Sequence, residues 1–204
     1  MTRTTALIFI LACAGCAQTP SRIETASNDA PDKSYTVDLP VGWIKQASPN
    51  NKKLFASRNG FLLEVIAIAN RPRKEAFPKT KKGADDGILP AELAELAIAE
   101  IKGEDQFTAA LNVVENEPVE IAGHEGFRIR VSFKNARGLE IQRVVEAFTD
   151  KTGYYELAFQ APALYFFDTY YPDFQKAAAS FRLASGSKSA GIPPHSVLVL
   201  TLAR

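Results

Sequence analysis

Residues 127–134 alternate without a break. Phe127, Ile129, Val131 and Phe133 are apolar, and Arg128, Arg130, Ser132 and Lys134 are polar. Side chains along a strand point to opposite faces with a period of two, so this stretch can bury one face only as a strand. Apolar, β-rich runs of similar length flank it at roughly 113–121, 139–148 and 154–160. The compact turn signals Gly123–Gly126, Asn135–Gly138 and Asp150–Gly153 separate these runs. Connections this short join only antiparallel neighbours, which predicts a four-stranded meander.

The rest of the chain is read around that meander. "SYTVDLPVGW" from Ser34 predicts a short strand, with a turn at Pro40 and Gly42 and Trp43, the only tryptophan, as a core anchor. "KLFASRNGFLLEVIAIA" predicts a hairpin about Asn59-Gly60. Its second arm, Phe61–Ala69, is apolar on both faces apart from Glu64, the pattern of a central strand. Pro90 opens a helix that runs to about Lys102 and stops at Gly103, with Leu89, Leu93, Leu96, Ala97 and Ile101 on one face. Glu100 falls within that apolar arc and so needs a partner or a frayed end. A second helical region is expected over 163–181, with Phe174, Ala177, Ala178 and Phe181 inward. Strands, a helix, a meander and a helix make an α+β protein, expected as an α/β/α sandwich with a mostly antiparallel twisted sheet and helices on both faces.

The N-terminus carries a different signal. Arg3 is followed by the apolar run Ala6–Ala12 and then small residues, the pattern of a secretory signal and too short to span a bilayer. Ala14-Gly15-Cys16-Ala17 resembles the lipobox of bacterial lipoproteins, in which the cysteine is acylated and becomes the new N-terminus. Cys16 is the preferred site. Cys13, which stands where a lipobox usually has leucine, is the alternative. The resemblance implies membrane attachment through the N-terminal lipid. Asp follows neither cysteine, so it also implies an outer-membrane lipoprotein facing the periplasm. The expected organisation is a signal over 1–16, a flexible tether over 17–33, a folded body over 34–183 and a tail over 184–204. A coil of the tether's length reaches about 20–25 Å.

"YTVDLPVGW", "PVEIAGHEGFRI", "YYELAFQAP" and "KAAASFRL" together resemble the PsbP-like superfamily over about 34–183. That superfamily includes the extrinsic subunit of photosystem II, a Ran-binding protein of nuclear transport and many bacterial lipoproteins. The resemblance implies an α/β/α sandwich that binds or stabilises partner proteins and does not catalyse. It transfers no ligand site to particular residues.

Chemistry-bearing motifs are few. Lys151-Thr152-Gly153 and Ser185-Gly186-Ser187-Lys188 match two signatures of penicillin-binding enzymes. Their order is reversed, however, and the serine lies in a Ser/Gly tail, so the first is read as a hairpin turn. His124 and His195, the only histidines, have no zinc-type spacing. No catalytic residue, cofactor site or metal site is therefore assigned, and with 24 basic against 23 acidic residues no nucleic-acid partner is expected. The one local charge excess is the loop from Arg71 to Lys82. There Arg71, Arg73, Lys74, Lys79, Lys81 and Lys82 face a single acid, Glu75, as a candidate anionic-surface or partner contact. Arg128, Arg130, Lys134 and Arg143 are expected to be neutralised across strands by Glu140, Glu146 and Glu156. Of Tyr165, Phe166, Phe167, Tyr170 and Tyr171, most are expected in the core and one or two on a binding surface. The functional expectation is an envelope protein that binds or stabilises another envelope protein. The alternative is a carrier of a small apolar or lipidic ligand, and an envelope hydrolase is the remote third.

Overall fold

A computed structural model describes residues 19–104 and 111–184. The two cysteines, His195, the 185–188 motif and the rest of the tail lie outside the described residues. The meander forms as β7 (Asn112–Ile121), β8 (His124–Lys134), β9 (Glu140–Thr149) and β10 (Tyr154–Pro162), each antiparallel to the next. The hairpin before it forms as β5 (Lys53–Ser57) and β6 (Val65–Arg71). With β1 (Ser21–Arg22) and β4 (Ile44–Ala47) these strands build one eight-stranded antiparallel sheet, ordered β1-β4-β5-β6-β10-β9-β8-β7. β6 sits in its interior, as its two apolar faces require. A separate three-stranded sheet joins β2 (Ser27–Asp29), β3 (Tyr35–Asp38) and β11 (Arg182–Leu183).

The expected tether does not hold from residue 19 onward. Residues 19–33 carry β1 and β2, and Ile23 and Ala30 are buried in the core. Ile23 donates its N–H to Trp43 O (2.8 Å) and its own carbonyl accepts Gly42 N–H (2.9 Å). Two strands of two and three residues carry no periodicity of their own; they exist only through β4 and β3.

Helix α1 (Pro90–Lys102) has the expected bounds, with Glu92 accepting Leu89 N–H (3.1 Å) at its start. Leu89 itself is exposed and not on the inward face, because it precedes the first turn. The second helix starts later than expected. α2 spans Asp168–Ser180, and residues 163–167 form a kinked turn in which Leu164 and Tyr165 leave helical geometry.

The core divides into two clusters with no shared member. Phe127, Ile129, Val131, Phe133, Val145 and Ala147 pack with Leu93, Ala94, Ala97 and Ile101 of α1. Trp43, Val144, Phe148, Leu157 and Phe159 pack with Phe174, Ala177 and Phe181 at α2 and its end. Strand residues of one parity enter the first cluster and those of the other parity the second. Trp43, 1% exposed, meets Tyr170 edge-on at 5.6 Å, the anchor role predicted for it.

Candidate functional site

Strand register separates the two ends of the large sheet. Ile44 pairs with Ser57, Val65 with Gln160, Pro162 with Ile141 and Glu140 with Lys134. Loops 40–43, 58–64, 163–167 and 135–139 therefore leave from one end. The β4–β5 turn, the loop after Arg71 and the turn at 150–153 leave from the other.

The first end is apolar. Among the described residues nine large apolar side chains are exposed. Eight of them stand on the loops of this end or at the start of β7: Val41, Leu62, Leu63, Leu139, Leu164, Tyr165, Val113 and Val114. The densest group is Leu62 (94% exposed), Leu63, Leu164 (85%) and Tyr165 (65%). They stand on loops that leave the neighbouring strands β6 and β10, and the first loop is tied to α2 by the hydrogen bond from Asn59 Nδ2 to Tyr170 OH (2.9 Å). Clusters of this kind on a monomer mark interaction surfaces. The sequence placed Phe61–Leu63 in a strand because nothing breaks the apolar run except Glu64.

Glu64 makes the break. Its side chain is fully buried, and Oε1 accepts the backbone N–H groups of Arg58 (2.8 Å) and Asn59 (2.6 Å). One carboxylate thus replaces two ladder partners and turns the chain before β6 starts, leaving residues 61–63 outside the sheet. Gly60, at φ +112°, supplies the conformation that other residues resist. Glu64→Ala should therefore cost about 1–3 kcal/mol, because both amides lose a buried acceptor. Hydrogen exchange should show the Arg58 and Asn59 amides losing protection while β9 and β10 keep theirs.

Tyr165 is held out by unusual backbone. Its φ of +70° with ψ −55° is the strained γ-turn geometry, rare for an aromatic residue. Phe167 points inward, packing on Phe159 (5.4 Å) and Tyr171 (5.3 Å), and Tyr170 and Tyr171 pack against the core. The aromatic run divides as expected, with Tyr165 as its exposed member. Non-helical strain that exposes Leu164 and Tyr165 contributes nothing to burial, and strain of this kind gathers at functional sites.

The second end holds the basic loop, and its six predicted contacts divide. Arg71 is no surface contact. Its guanidinium is largely buried, makes two bonds to the Glu156 carboxylate (3.1 and 3.2 Å) and donates to Ala76 O (2.9 Å). Burial pushes the Glu156 carboxyl up, but Arg71 and the hydrogen bonds from Arg71 and Tyr154 outweigh it and hold it below the ordinary value. Arg73 is likewise structural, donating to Ala84 O (3.2 Å) and pairing with Asp86. Lys74, Lys79, Lys81 and Lys82 are the exposed members. Glu100, the acid out of place on α1, finds its partner here: it accepts the N–H groups of Lys79 (2.7 Å) and Thr80 (2.8 Å) and so pins the loop to the helix.

The strand arginines are neutralised, with different partners in part. Arg128 pairs with Glu146 (2.8 Å) as expected and also with Glu117 (2.7 Å); Arg130 pairs with Glu115 (3.4 Å). Arg143 belongs to the other face and pairs with Glu104 (2.8 Å). His124 stacks on Phe148 at 4.9 Å, a packing role. Lys151-Thr152-Gly153 is the hairpin turn expected, capped by Asp150 Oδ1, which accepts Thr152 N–H (2.7 Å) and Gly153 N–H (3.0 Å). Among the described residues no group of three His, Cys, Asp or Glu is placed to hold a metal, and no helix is long and apolar enough to cross a membrane.

No family model matches the chain, and no curated protein matches it. Solved structures do. Cyanobacterial PsbP (CyanoP) from Synechocystis sp. PCC 6803 is 12% identical, with a TM-score of 0.52 over 86% of this chain and 98% of that one. A point mutant of the protein Mog1 is also 12% identical, with a TM-score of 0.50 over 81% of this chain and 98% of that one. A protein from Bacteroides thetaiotaomicron is 9% identical with a TM-score of 0.48 over 79% of this chain; the chain spans about half that protein's length, 49%. The large antiparallel sheet with two helices is thus a fold shared with CyanoP and Mog1.

Proposed function

We propose that the chain is a lipid-anchored protein of the bacterial envelope whose body holds a partner protein at the apolar end of its sheet. The single observation that carries this reading is the exposure of Leu62, Leu63, Leu164 and Tyr165 on two loops that leave the paired strands β6 and β10 at the same end, one of them in strained geometry. The body that presents them is an α/β/α sandwich, α1 and α2 covering opposite faces; the two separate core clusters support this layering. The work is binding and not bond-breaking, as in the superfamily that the sequence resembles.

Anchor and docking end stand at opposite ends of the body. β1 runs from the level of Lys45 toward Ile44, so the chain enters from the basic end. Only three steps separate Cys16 from Thr19, about 10 Å of extended chain. An acyl group on Cys16 would hold the basic end against an outer-membrane inner leaflet and turn the apolar end toward the periplasm. Acylation at Cys13 would lengthen the link by three residues and keep the same orientation. A carrier of apolar cargo fits less well. Two cavities of about 460 and 430 Å³ are lined by charged side chains, among them Lys53, Arg71, Glu104 and Arg143.

The test is capture of the partner from crosslinked envelopes. The double variant Leu62→Asp, Leu164→Asp should reduce recovery at least about tenfold, since buried interface anchors commonly contribute about 2 kcal/mol or more. Its melting temperature should stay within about 2 °C of the parent, because both side chains are exposed in the free protein. Undiminished recovery by a folded double variant would remove the reading.

A further inference from the structure

Between the β4–β5 turn and the basic loop lies a cavity of about 430 Å³. Lysines from both sides line it: Lys52 and Lys53 from the strand end, and Lys74, Lys81 and Lys82 from the loop. Its one acid, Glu75, is taken by Lys52 at 3.6 Å, and the Arg71 on its wall is neutralised by Glu156. Lys53, Lys74, Lys81 and Lys82 remain, four ammonium groups around one space. Among the described residues none of these four ammonium groups makes a hydrogen bond or ion pair.

Lys53 makes the arrangement more than a charged loop. It is half-buried on the sheet, where burial, and then the neighbouring Arg71, push its ammonium below the ordinary lysine value, and the nearby Glu156 and Glu104, each already paired with an arginine, offset this only in part. A lysine usually escapes such a place by extending into water or finding a carboxylate. The loop opposite is rigid. Phe77 is fully buried against Tyr154 (5.1 Å), and Phe77 and Lys82 exchange both backbone hydrogen bonds (3.0 and 3.1 Å). Gly83 lies so close that a Cβ there would stand 3.0 Å from Lys74 Cα. Lys81 is held at φ +57°, which β-carbon residues resist. Like charges gathered around one cavity repel one another unless something anionic fills the space.

We infer that this cavity is a binding site for a phosphate-bearing ligand, with Lys53 at its floor and Lys74, Lys81 and Lys82 at its rim. Four point-like ammonium groups suit a compact oxyanion of more than one charge, and the volume leaves room for the group that carries it. A soluble phosphate compound and a phospholipid headgroup present the same chemistry, and the cavity lies at the end of the sheet where the chain enters.

The experiment uses the full chain with Cys13→Ser and Cys16→Ser, which removes any anchor, and two probes. Pyrophosphate is titrated while the lysine ammonium resonances are followed, and flotation is measured with phosphatidylcholine vesicles with and without phosphatidic acid. Pyrophosphate should bind, and Lys53→Met should weaken it about tenfold or more. The exposed pair Lys81→Met, Lys82→Met should do the same without disturbing the fold, and Lys151→Met should change nothing. Flotation on phosphatidic acid that pyrophosphate reverses identifies a headgroup, and pyrophosphate binding without flotation identifies a soluble ligand. Absence of pyrophosphate binding at about 0.1 M salt would overturn the inference. So would an equal loss from Lys53→Met and Lys151→Met, the mark of diffuse charge.

Discussion

Arg71→Met should destabilise the protein by about 3 kcal/mol, measured by denaturant unfolding at pH 7. The substitution keeps most of the side chain's volume but leaves the Glu156 carboxylate without its bidentate partner. Removing one member of a buried pair costs about 3–5 kcal/mol, because the remaining charge stays desolvated. Lys53 stands near enough to Glu156 to interact with it and takes over part of the role, which places the expectation at the low end. The loss has a pH signature. In the native protein Glu156 titrates below its unfolded value, so its contribution is full above the unfolded pKa and disappears as pH falls through the folded one. In Arg71→Met the carboxyl is freed from that hold and its folded pKa rises. The gap between variant and parent should therefore shrink as pH falls below about 4, where a protonated Glu156 needs no cation. A gap that stays constant down to the acid transition would assign the loss to packing instead.

Gly126→Ala should cost about 3 kcal/mol or more and lower the melting temperature by roughly 6–12 °C for a body of this size. Gly126 lies in β8 opposite Phe148 of β9. A Cβ built there would stand 2.3 Å from Ala147 O and 3.0 Å from Phe148 Cβ, and the first of these atoms is backbone. The two strands must part at the centre of the meander to admit it. Gly123 is the control. Its Cβ would meet open space, and only its φ of +81° opposes a side chain, so Gly123→Ala should cost about 1 kcal/mol. Thermal scans of the two variants separate close approach from turn strain; equal shifts would contradict the strand assignment of Gly126.

These two positions also show what was legible in the sequence. Period-two alternation and turn signals are local, so the four meander strands could be read to within a few residues. Gly126 could not, because Gly123 and Gly126 look alike as turn residues. Ala122 and Gly123, at φ +50° and +81°, make the whole turn, and β8 has begun by His124. What demands glycine at 126 is a carbonyl 21 positions away in sequence. Arg71 likewise stands at the head of a basic run indistinguishable from an exposed charge cluster. Its partner Glu156 reaches it only because β6 and β10 are neighbours in the folded sheet. β1 and β2 left one signal, Ile23 among polar residues, since short strands take their order from the strands they meet. The apolar end was half visible. The surplus of aromatics at 165–171 predicted an exposed member, but Leu62 and Leu63 were hidden in a run that reads as strand until Glu64 is seen to turn the chain.

The proposed function would make the two ends of the body act together. Residues 19–33 carry β1 and β2 and bury Ile23 and Ala30, so a chain acylated at Cys16 would have a short link to its anchor. Orientation at the membrane would then become part of recognition, since a partner would meet the same face each time and lose less rotational freedom on binding.

The most direct measurement is photocrosslinking in intact cells. A photoreactive residue at position 62 or 164, on the apolar end, is compared with one at position 151, on the turn at the opposite end. Specific higher-mass adducts from 62 and 164 and none from 151 are the expected result. Adducts from 151 with none from 62 or 164 would contradict docking at the apolar end.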